Sequence, residues 1–436
     1  MVSRARILSY KLLRQIDLQY VFSDDALNCE EMNSLDIRDR HLTTEIVYGT
    51  LRWQGLLDYV LAKSSSRPWQ EVAPAARILL RMSVYQMWHM NRIPDHALVN
   101  DAVELAKSKL GKGIDRYING ILRNLSRTRP WQKKDNLRDV PPWAAVSLPK
   151  WLWDRWEKRY GKDMAESYAL SLNVPPQHAL RVVTQTGLPE NLPFEVIRSD
   201  IVPDAYIRTE SKPENAVGNN DPVPFQYQDE ASQLIPHLLA DDAGYRRIWD
   251  ACAAPGGKSA FLGKICGEKG TLVASDLVPE RVLRMVAAMK TSGISRIDAI
   301  IADASKPAPF RQCFDAVLAD VPCSGLGTLR RNPEIKWHFE TDRFVSLQKI
   351  QKQIIHNVSD VVCVGGRLLY STCSTEPEEN EYVVESFLST HPGFRLEKPA
   401  CPPGILKYVC PDRMIRTFPG TRLWDGFFAA LLVRYN

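Results

Sequence analysis

The stretch IWDACAAPGGKS, residues 248–259, joins a short apolar run to a turn with two adjacent glycines and then to a helical pattern. A glycine turn after the first strand of a parallel sheet lets a ligand approach the backbone closely. Cys252 stands where a P-loop needs glycine, and the dinucleotide pattern G-x-G-x-x-G is missing. This stretch alone therefore does not decide between a ligand-binding turn and a plain tight turn.

Alternating strands and helices are predicted on both sides of that turn, over residues 226–436. This alternation predicts an α/β domain with a mixed, mostly parallel Rossmann-like sheet and helices on both faces. The predicted strands are Arg246–Asp250, Thr271–Asp276, Ala299–Asp303, Ala316–Asp320 and Gly366–Ser371.

The first part of the chain has a different pattern. Apolar residues recur at helical spacing in Ile46–Leu61, Ala76–Met87, His96–Leu110 and Ile114–Leu125, which predicts an all-helical bundle over residues 1–140. Proline and charge mark a linker, and residues 145–225 favour a small α+β middle domain. The sequence therefore predicts three domains.

Three aspartates come at the ends of successive predicted strands of the α/β domain: Asp276, Asp303 and Asp320. The carboxyl ends of parallel strands share one edge of a sheet, and an acidic group about 20 residues after a glycine turn can accept hydrogen bonds from ribose hydroxyls. One such aspartate is often only a turn former. Three beside a glycine turn, without a pyrophosphate motif, favour S-adenosylmethionine as the cofactor.

The nine cysteines are scattered, with no C-x-x-C pair and no cluster at zinc spacing. This pattern favours reduced thiols and no metal site, and Cys313 and Cys363 are expected to be small apolar side chains. Cys323 and Cys373 differ, because each directly follows a predicted strand at the edge that carries the aspartates. A lone cysteine is usually inert, but two at matched strand ends favour chemistry.

Charge is unevenly distributed along a chain of net charge +5, since Arg116–Arg159 holds eleven Lys or Arg against four Asp or Glu. Such a stretch is typical either of a nucleic-acid surface or of a solvated helical face. No apolar run is long enough to span a membrane, and Lys11 and Arg14 interrupt the only candidate signal peptide. We expect a cytoplasmic protein with no membrane partner.

Motifs spread over nearly the whole chain resemble the Nol/Nop/Sun family of RNA cytosine-5 methyltransferases, of the bacterial Sun/Fmu type with an N-terminal domain similar to NusB. The catalytic motifs are CAAPGGK (252–258), ADVPCSG (319–325), RRNPEIKW (330–337), YSTCS (370–374), PEENE (377–381) and DGFF (425–428). Further matches are YQDEASQL (227–234), IVYGTLRW (46–53), IPDHALVNDAVELAK (93–107) and YINGILRNL (117–125).

The resemblance implies a role for each matched residue. Cys373 would attack carbon 6 of the cytosine, Cys323 would help to release the product, and Asp320 would contact the base near N3. The cofactor would be held by Cys252, Ala253, Ala254, Pro255, Gly256, Gly257, Lys258, Asp276, Asp303 and Asp320. Arg330, Arg331 and Lys336 would meet RNA phosphates, although a solvated loop is the alternative for each.

The resemblance further implies methylation of ribosomal RNA at carbon 5 of a cytosine, with cytosine 967 of 16S rRNA as the expected target. A monomer is expected. One alternative is the same chemistry on tRNA or at another rRNA site. A second is a non-catalytic RNA-binding, antitermination-like factor, which the presence of both Cys323 and Cys373 disfavours. A third, a dehydrogenase, is disfavoured by the missing dinucleotide motif and by the same two cysteines.

Overall fold

The structure is a computed structural model that describes residues 2–90, 93–132, 139–182, 188, 192, 194–211, 225–240, 244–267, 269–291, 297–420 and 422–436. Parts of the predicted linker (133–138) and middle domain (183–187 and 212–224) lie outside the described residues. The chain forms two compact units. The helical unit comprises residues 1–175 and 329–339, and the sheet unit comprises residues 176–328 and 340–436. The three predicted domains differ from this division, because the predicted middle domain is split between the two units.

The helical unit is built from amphipathic helices whose apolar faces share one core, with Leu12, Ile16, Ile46 and Leu57 almost fully buried. The first helices are α1 (Arg4–Gln19), α2 (Ser23–Leu27), α3 (Glu30–Asn33), α4 (Ile37–Arg52), α5 (Gln54–Ser64) and α6 (Pro74–His89). They are followed by α7 (Asp95–Lys109), α8 (Ile114–Thr128), α9 (Pro142–Ala145), α10 (Lys150–Tyr160) and α11 (Lys162–Ser171).

The helical unit also contains a segment from much later in the chain, Leu329–Phe339, which includes α15 (Ile335–His338). This segment separates two stretches of the sheet unit in sequence. The pattern of the first 140 residues gives no indication of it, because the residues that complete this unit are almost 200 positions away.

The sheet unit begins with a small antiparallel sheet in the order β2-β3-β1-β4. Its strands are β1 (Ala179–Val182), β2 (Phe194–Arg198), β3 (Ala205–Ser211) and β4 (Phe225–Tyr227). Helix α12 (Glu230–His237) follows, and the Asp229 side chain caps it by accepting a hydrogen bond from the Ala231 amide.

A larger sheet in the order β10-β12-β9-β8-β5-β6-β7 forms the centre of this unit, with β11 paired to β12. Strands β5 to β9 run parallel, and β12 is antiparallel to β9, β10 and β11. The strands are β5 (Arg247–Asp250), β6 (Thr271–Asp276), β7 (Asp298–Ile301), β8 (Phe314–Asp320), β9 (Val362–Thr372), β10 (Phe394–Glu397), β11 (Ile415–Arg416) and β12 (Phe428–Arg434). The prediction of a mixed, mostly parallel sheet is confirmed.

Helices cover both faces of the larger sheet, as its continuous apolar strands require. Leu318 packs in the apolar core that also holds residues of α12 and α13, whereas Val317 packs in the core that holds residues of α16 and α17. The helices are α13 (Gly257–Cys266), α14 (Pro279–Thr291), α16 (Arg343–Ser359), α17 (Glu381–Thr390) and α18 (Pro403–Leu406).

One cysteine prediction is wrong. Cys313 and Cys363, expected to be isolated apolar side chains, form a disulfide with a Cα–Cα distance of 5.1 Å. Cys313 directly precedes β8 and Cys363 is the second residue of β9, and the two strands pair at Phe314 and Val362. The sequence predicts both strands, but it gives no register at their amino ends, and the cysteine pairing depends on that register.

Candidate active site

The glycine turn connects β5 to α13 at the point where the strand order reverses, between β5 and β8. Such a switch point opens a crevice at the carboxyl ends of the strands. Gly256 has a φ of +100°, and a Cβ there would lie 2.8 Å from Cγ of Met285. A Cβ on Gly257 would lie 3.2 Å from the side-chain amide of Gln228. The two glycines are therefore required by conformation and by close packing.

A cleft of about 390 Å³ lies against this turn, within the size range of small-molecule sites. Apolar and polar side chains from the turn, from α12 and from β8 share its wall. The lining residues are Gln226, Tyr227, Gln228, Ser232, Asp250, Cys252, Ala253, Ala254, Pro255, Gly257, Lys258, Ala288 and Asp320. The wall thus includes most of the residues for which the sequence predicts cofactor contacts.

Asp276 and Asp303 are absent from that wall. The carboxylate of Asp276 is buried and accepts hydrogen bonds from the backbone amides of Ala254 (3.3 Å) and Val278 (3.1 Å), which fixes the glycine turn. Asp303 lies two residues beyond the end of β7 and accepts two hydrogen bonds from Ser305. The hydroxyl of Ser305 is the main cause that lowers the pKa of Asp303. In this structure, Asp276 stabilises the glycine turn as well as its own turn, and Asp303 stabilises its own turn.

Asp320, at the end of β8, forms an ion pair with Lys258, with 2.6 Å between Nζ and Oδ2. Its other oxygen accepts a hydrogen bond from the Ser371 hydroxyl at 2.7 Å. Burial by itself would lower the pKa of Lys258, but the neighbouring Asp320 and Cys373 outweigh burial and raise it. A cation is therefore fixed beside the cleft at neutral pH.

The two cysteines at the strand ends lie together, with 3.1 Å between the Sγ atoms of Cys323 and Cys373. The parallel pairing of β8 with β9 brings them together, because Asp320 lies opposite Ser371 in the register. The hydrogen bond with Cys373 is the main cause that raises the pKa of Cys323, and burial adds to it. Cys323 thus stays a thiol that can donate to the sulfur of Cys373.

Cys252, the third cysteine of the site, has a different environment. Burial is the main cause that raises the pKa of its thiol, and the carboxylates of Asp250, Asp320 and Asp276 raise it further. A thiol that resists ionisation is a poor nucleophile. Cys252 is therefore a wall residue of the cleft.

Sequence analysis missed two polar groups of the cleft. The Oε1 atom of Gln228 is buried and has no hydrogen-bond partner among the described residues, while its Nε2 donates to Ser232. Asp250 is buried with one oxygen bonded to Ser259, and burial raises its pKa to about 7. Gln228 belongs to the quoted motif YQDEASQL, so its position was noted but its role was not.

These features fit S-adenosylmethionine. The unpaired Gln228 carbonyl can accept a hydrogen bond from an amino group of a ligand, and an unpaired buried acceptor is costly without one. The glycine turn, held by Asp276, leaves the backbone open to close approach. When bound, this cofactor supplies an electrophilic methyl group on a sulfonium.

The three predicted RNA-contacting residues of RRNPEIKW belong to the helical unit, whereas the residues of the cleft belong to the sheet unit. Arg330 and Lys336 are 1% exposed, and Lys336 Nζ donates to the backbone carbonyls of Arg52 (2.8 Å) and Ser147 (3.0 Å). Arg331 is half-buried. Burial keeps the side chains of Arg330 and Lys336 from the surface in this structure, and phosphate contacts by the three residues stay a prediction.

A basic groove of about 700 Å³ lies between α7 and α8 of the helical unit and includes arginines of the stretch Arg116–Arg159. Four cationic side chains and one carboxylate, Asp115, line it. Arg116 and Arg123 are exposed there, and Asn100 and Asn119 add amide groups to the wall. The cations of this groove are Lys107, Arg116, Arg123 and Arg127.

The described residues contain no group of three or more His, Cys, Asp or Glu side chains arranged to hold a metal ion. None of their helices combines the length and the apolar character needed to cross a membrane.

Comparison with known proteins gives a consistent result. The family model described as 16S rRNA methyltransferase RsmB/F matches residues 237–433, and the NusB family model matches residues 3–127. The chain is 34% identical to the probable ribosomal RNA small subunit methyltransferase B of Bacillus subtilis over 91% of each chain. It is 30% identical to the corresponding Synechocystis protein, over 98% of this chain and 99% of that one. The crystal structure of PH0851 matches 100% of both chains with a TM-score of 0.80 and 26% identity.

Proposed function

Because the chain belongs to the 16S rRNA methyltransferase RsmB/F family, and is therefore an S-adenosylmethionine-dependent rRNA methyltransferase, we propose that it methylates carbon 5 of cytosine 967 in 16S rRNA through a covalent cysteine adduct. The observation that carries this proposal is the 3.1 Å contact between Cys323 and Cys373 beside the cleft. Two thiols there suit a reaction that must both form and break a carbon–sulfur bond.

Carbon 5 of cytosine is a poor nucleophile, so the base must first be activated. Addition of the Cys373 thiolate to carbon 6 converts the ring to an enamine whose carbon 5 can attack a methyl electrophile. Two neighbours support this role for Cys373. The thiol of Cys323 can donate a hydrogen bond to its sulfur, and Lys258 places a positive charge close by.

Asp320 is proposed to contact the base near N3, where charge changes as the thiolate adds. Its two oxygens are fixed by Lys258 and Ser371, which aims the carboxylate without a cost of reorganisation during the reaction. After methyl transfer, loss of the carbon 5 proton allows the Cys373 sulfur to leave, and Cys323 is proposed to assist that release. Each residue therefore acts on the base, whereas the glycine turn holds the cofactor.

The other residues predicted to hold the cofactor are proposed either to contact it directly or to support the turn that does. Cys252 to Lys258 border the cleft directly or form its turn, so we propose direct contacts for them. Asp276 is proposed to act by holding the turn that carries Ala254. A ribose contact by Asp303 would require its carboxylate to exchange its bonds with Ser305 for ligand hydroxyls.

The RNA is proposed to contact the basic groove of the helical unit in addition to the active site. Cations that line a groove neutralise phosphates and contribute affinity without reading sequence. A target base must also leave its stack to reach a thiol in a cleft, so an unpaired or extruded cytosine is expected.

The experiment that tests this proposal combines two cysteine variants with 16S rRNA transcripts. Cys373→Ala should abolish methylation with cofactor binding retained, and Cys323→Ala should accumulate an RNA–protein adduct that migrates as a slow band on a denaturing gel. If Cys373→Ala accumulates the adduct instead, Cys323 is the attacking residue and Cys373 assists release. Full activity of Cys373→Ala would refute the covalent mechanism.

Bisulfite sequencing of the same transcripts locates the modified cytosine. Protection at cytosine 967 alone supports the proposed target. Protection at another rRNA position, or in tRNA offered in parallel, would support the proposed reaction and show that cytosine 967 is not the target. Absence of protection in every RNA, with the cofactor bound, would leave only the RNA-binding alternative.

A further inference from the structure

A buried carboxylate that has no part in the mechanism above connects the two cysteine loops. Glu379 is 0% exposed and lies between β9 and α17. One of its oxygens, Oε2, accepts hydrogen bonds from the hydroxyls of Ser324 and Ser374, both at 2.5 Å. These two serines directly follow Cys323 and Cys373 in the chain.

The other oxygen of Glu379 ties the same loop to a helix. Oε1 accepts from the Ser324 backbone amide at 2.7 Å and from the Gln351 side chain of α16 at 3.1 Å. Gln351 also donates to the carbonyl of Pro322 at 3.0 Å, on the other side of Cys323. The Cys323 loop is thus held both before and after the thiol, and Glu379 accepts four hydrogen bonds.

The second loop is fixed by the neighbouring backbone and side chain. The Tyr370 hydroxyl donates to the Glu379 carbonyl at 2.6 Å. Asn380 accepts from the hydroxyl of Thr372 at 2.5 Å and donates to the Ser374 carbonyl at 2.9 Å. Thr372 and Ser374 flank Cys373, so residues 379 and 380 hold that loop on both sides as well.

We propose that Glu379 is a positioning residue that sets the distance between the two thiols, and that the rate of covalent addition to the base depends on its charge. The proposal rests on the function proposed above. A buried carboxylate that accepts hydrogen bonds from hydroxyl and amide donors forms stronger bonds than a neutral acceptor. Its donors here come from both loops, so its charge holds the two cysteines in one geometry, and a displacement of about 1 Å at a reacting group can cost about 100-fold in rate.

Glu379→Gln is the informative change, because it preserves shape and removes charge. The Ser324 backbone amide on the Oε1 side can only donate, so the new amide nitrogen must face the two hydroxyls. Both hydroxyls can rotate and accept, which lets the variant fold, but the bonds to them become weaker. Glu379→Asp retains the charge and should restore part of the rate.

The matched control is Glu381→Gln, two residues further along the chain. Glu381 is a half-buried carboxylate that forms an ion pair with Arg416 at 2.7 Å. It begins α17, and its ion pair lies outside the cysteine loops. This variant therefore removes a half-buried negative charge at nearly the same point of the chain and leaves the link between the two cysteine loops intact.

The assay uses an RNA with 5-fluorocytosine at the methylated position and S-adenosylmethionine, because fluorine replaces the proton that must leave and the adduct therefore accumulates. We expect Glu379→Gln to slow adduct formation about 100-fold and to lower kcat on unmodified RNA by a similar factor. The KM values for unmodified RNA and cofactor should stay within about threefold of wild type. Glu381→Gln should form adduct at about the wild-type rate. The double variant Ser324→Ala with Ser374→Ala should slow adduct formation as much as Glu379→Gln does. Combining all three changes should slow it little further.

Adduct formation at the wild-type rate by folded Glu379→Gln would overturn the proposal. So would an equal loss in Glu381→Gln, because the effect would then come from lost stability. Failure of the proposed function gives a different result, since the wild-type enzyme itself would then form no adduct with any fluorinated RNA.

Discussion

At the scale of single residues, the site depends on an ion pair that the sequence does not reveal. Lys258 and Asp320 come from different motifs, 62 positions apart, and the structure places them 2.6 Å apart. Both residues were predicted from motif positions, but their pairing depends on how β5 and β8 align. Pairing makes Asp320 an oriented carboxylate and keeps Lys258 charged beside Cys373.

Asp320→Asn should lower kcat by about 100-fold or more, because it removes both a carboxylate aimed at the base and the partner of a buried cation. Without that charge the pKa of Lys258 falls, so the alkaline limb of the rate profile should move to lower pH. The measurement is kcat against pH with saturating RNA.

Asp315→Asn is the control for that experiment, because Asp315 lies near the opposite end of the same strand. It accepts hydrogen bonds from the amides of Arg246 and Arg247 at 2.8 and 2.9 Å. An unchanged alkaline limb in Asp320→Asn, or an equal shift in Asp315→Asn, would contradict a specific role for the ion pair.

The convergence of the two cysteines could be predicted, and the reason is geometric. Residues that follow neighbouring parallel strands lie at one edge, and Cys323 and Cys373 each come two or more residues after strand residues that pair. Gln228 could not be predicted in the same way, because it comes before α12, outside any strand of the larger sheet. Gln228 is a candidate ligand contact because its buried Oε1 has no hydrogen-bond partner among the described residues, and no sequence pattern indicates that.

At the scale of elements, the strands were predicted closely and the segment Leu329–Phe339 was not. Arg330 and Lys336 were predicted to meet RNA phosphates because they follow the loop after the fourth predicted strand. The structure buries Lys336 against two carbonyl groups, and the Trp337 indole donates to the Leu51 carbonyl at 2.8 Å. The aromatic residues Trp337 and Phe339 were the available signal for burial.

Lys336 should make the stability of the helical unit depend on pH in a known direction. Burial is the main cause that lowers its pKa from 10.5 to about 7, and nearby Arg52 lowers it further. A neutral amine still has two N–H groups for its two carbonyl partners. Between pH 7 and 10.5 the unfolded chain therefore binds more protons at this position than the folded chain, and stability rises with pH.

Lys336→Met should remove that contribution, so the free energy of unfolding should rise less steeply between pH 7 and 10. Urea unfolding at a series of pH values measures the slope. Lys109→Met, at an exposed lysine of the same unit, should keep the wild-type slope. Identical slopes for Lys336→Met and wild type would show that the amine titrates normally and is exposed in solution.

At the scale of the whole molecule, the net charge of +5 understates how basic the helical unit is at one surface. The stretch Arg116–Arg159 suggested this, and α8 brings three of its arginines into the basic groove beside Lys107 of α7. The helical pattern of α8 could be predicted, whereas the groove could not, because it needs the packing of α7 against α8. Other basic residues of the stretch lie elsewhere, including Lys150, which is paired with Asp154.

Removing two exposed cations of the groove tests whether RNA phosphates lie there. Arg116→Ala with Arg123→Ala should reduce the slope of log Kd against log salt by roughly 2 for a 16S rRNA fragment, since each phosphate contact contributes about 1. Affinity should fall similarly for unrelated RNA, while kcat at saturating RNA should stay unchanged.

Lys150→Ala removes an exposed cation of the same unit outside the groove and should leave the slope as it is. An unchanged slope in the double variant would show that the RNA phosphates contact another surface. A fall in kcat at saturating RNA would mean that the groove also affects the chemical step.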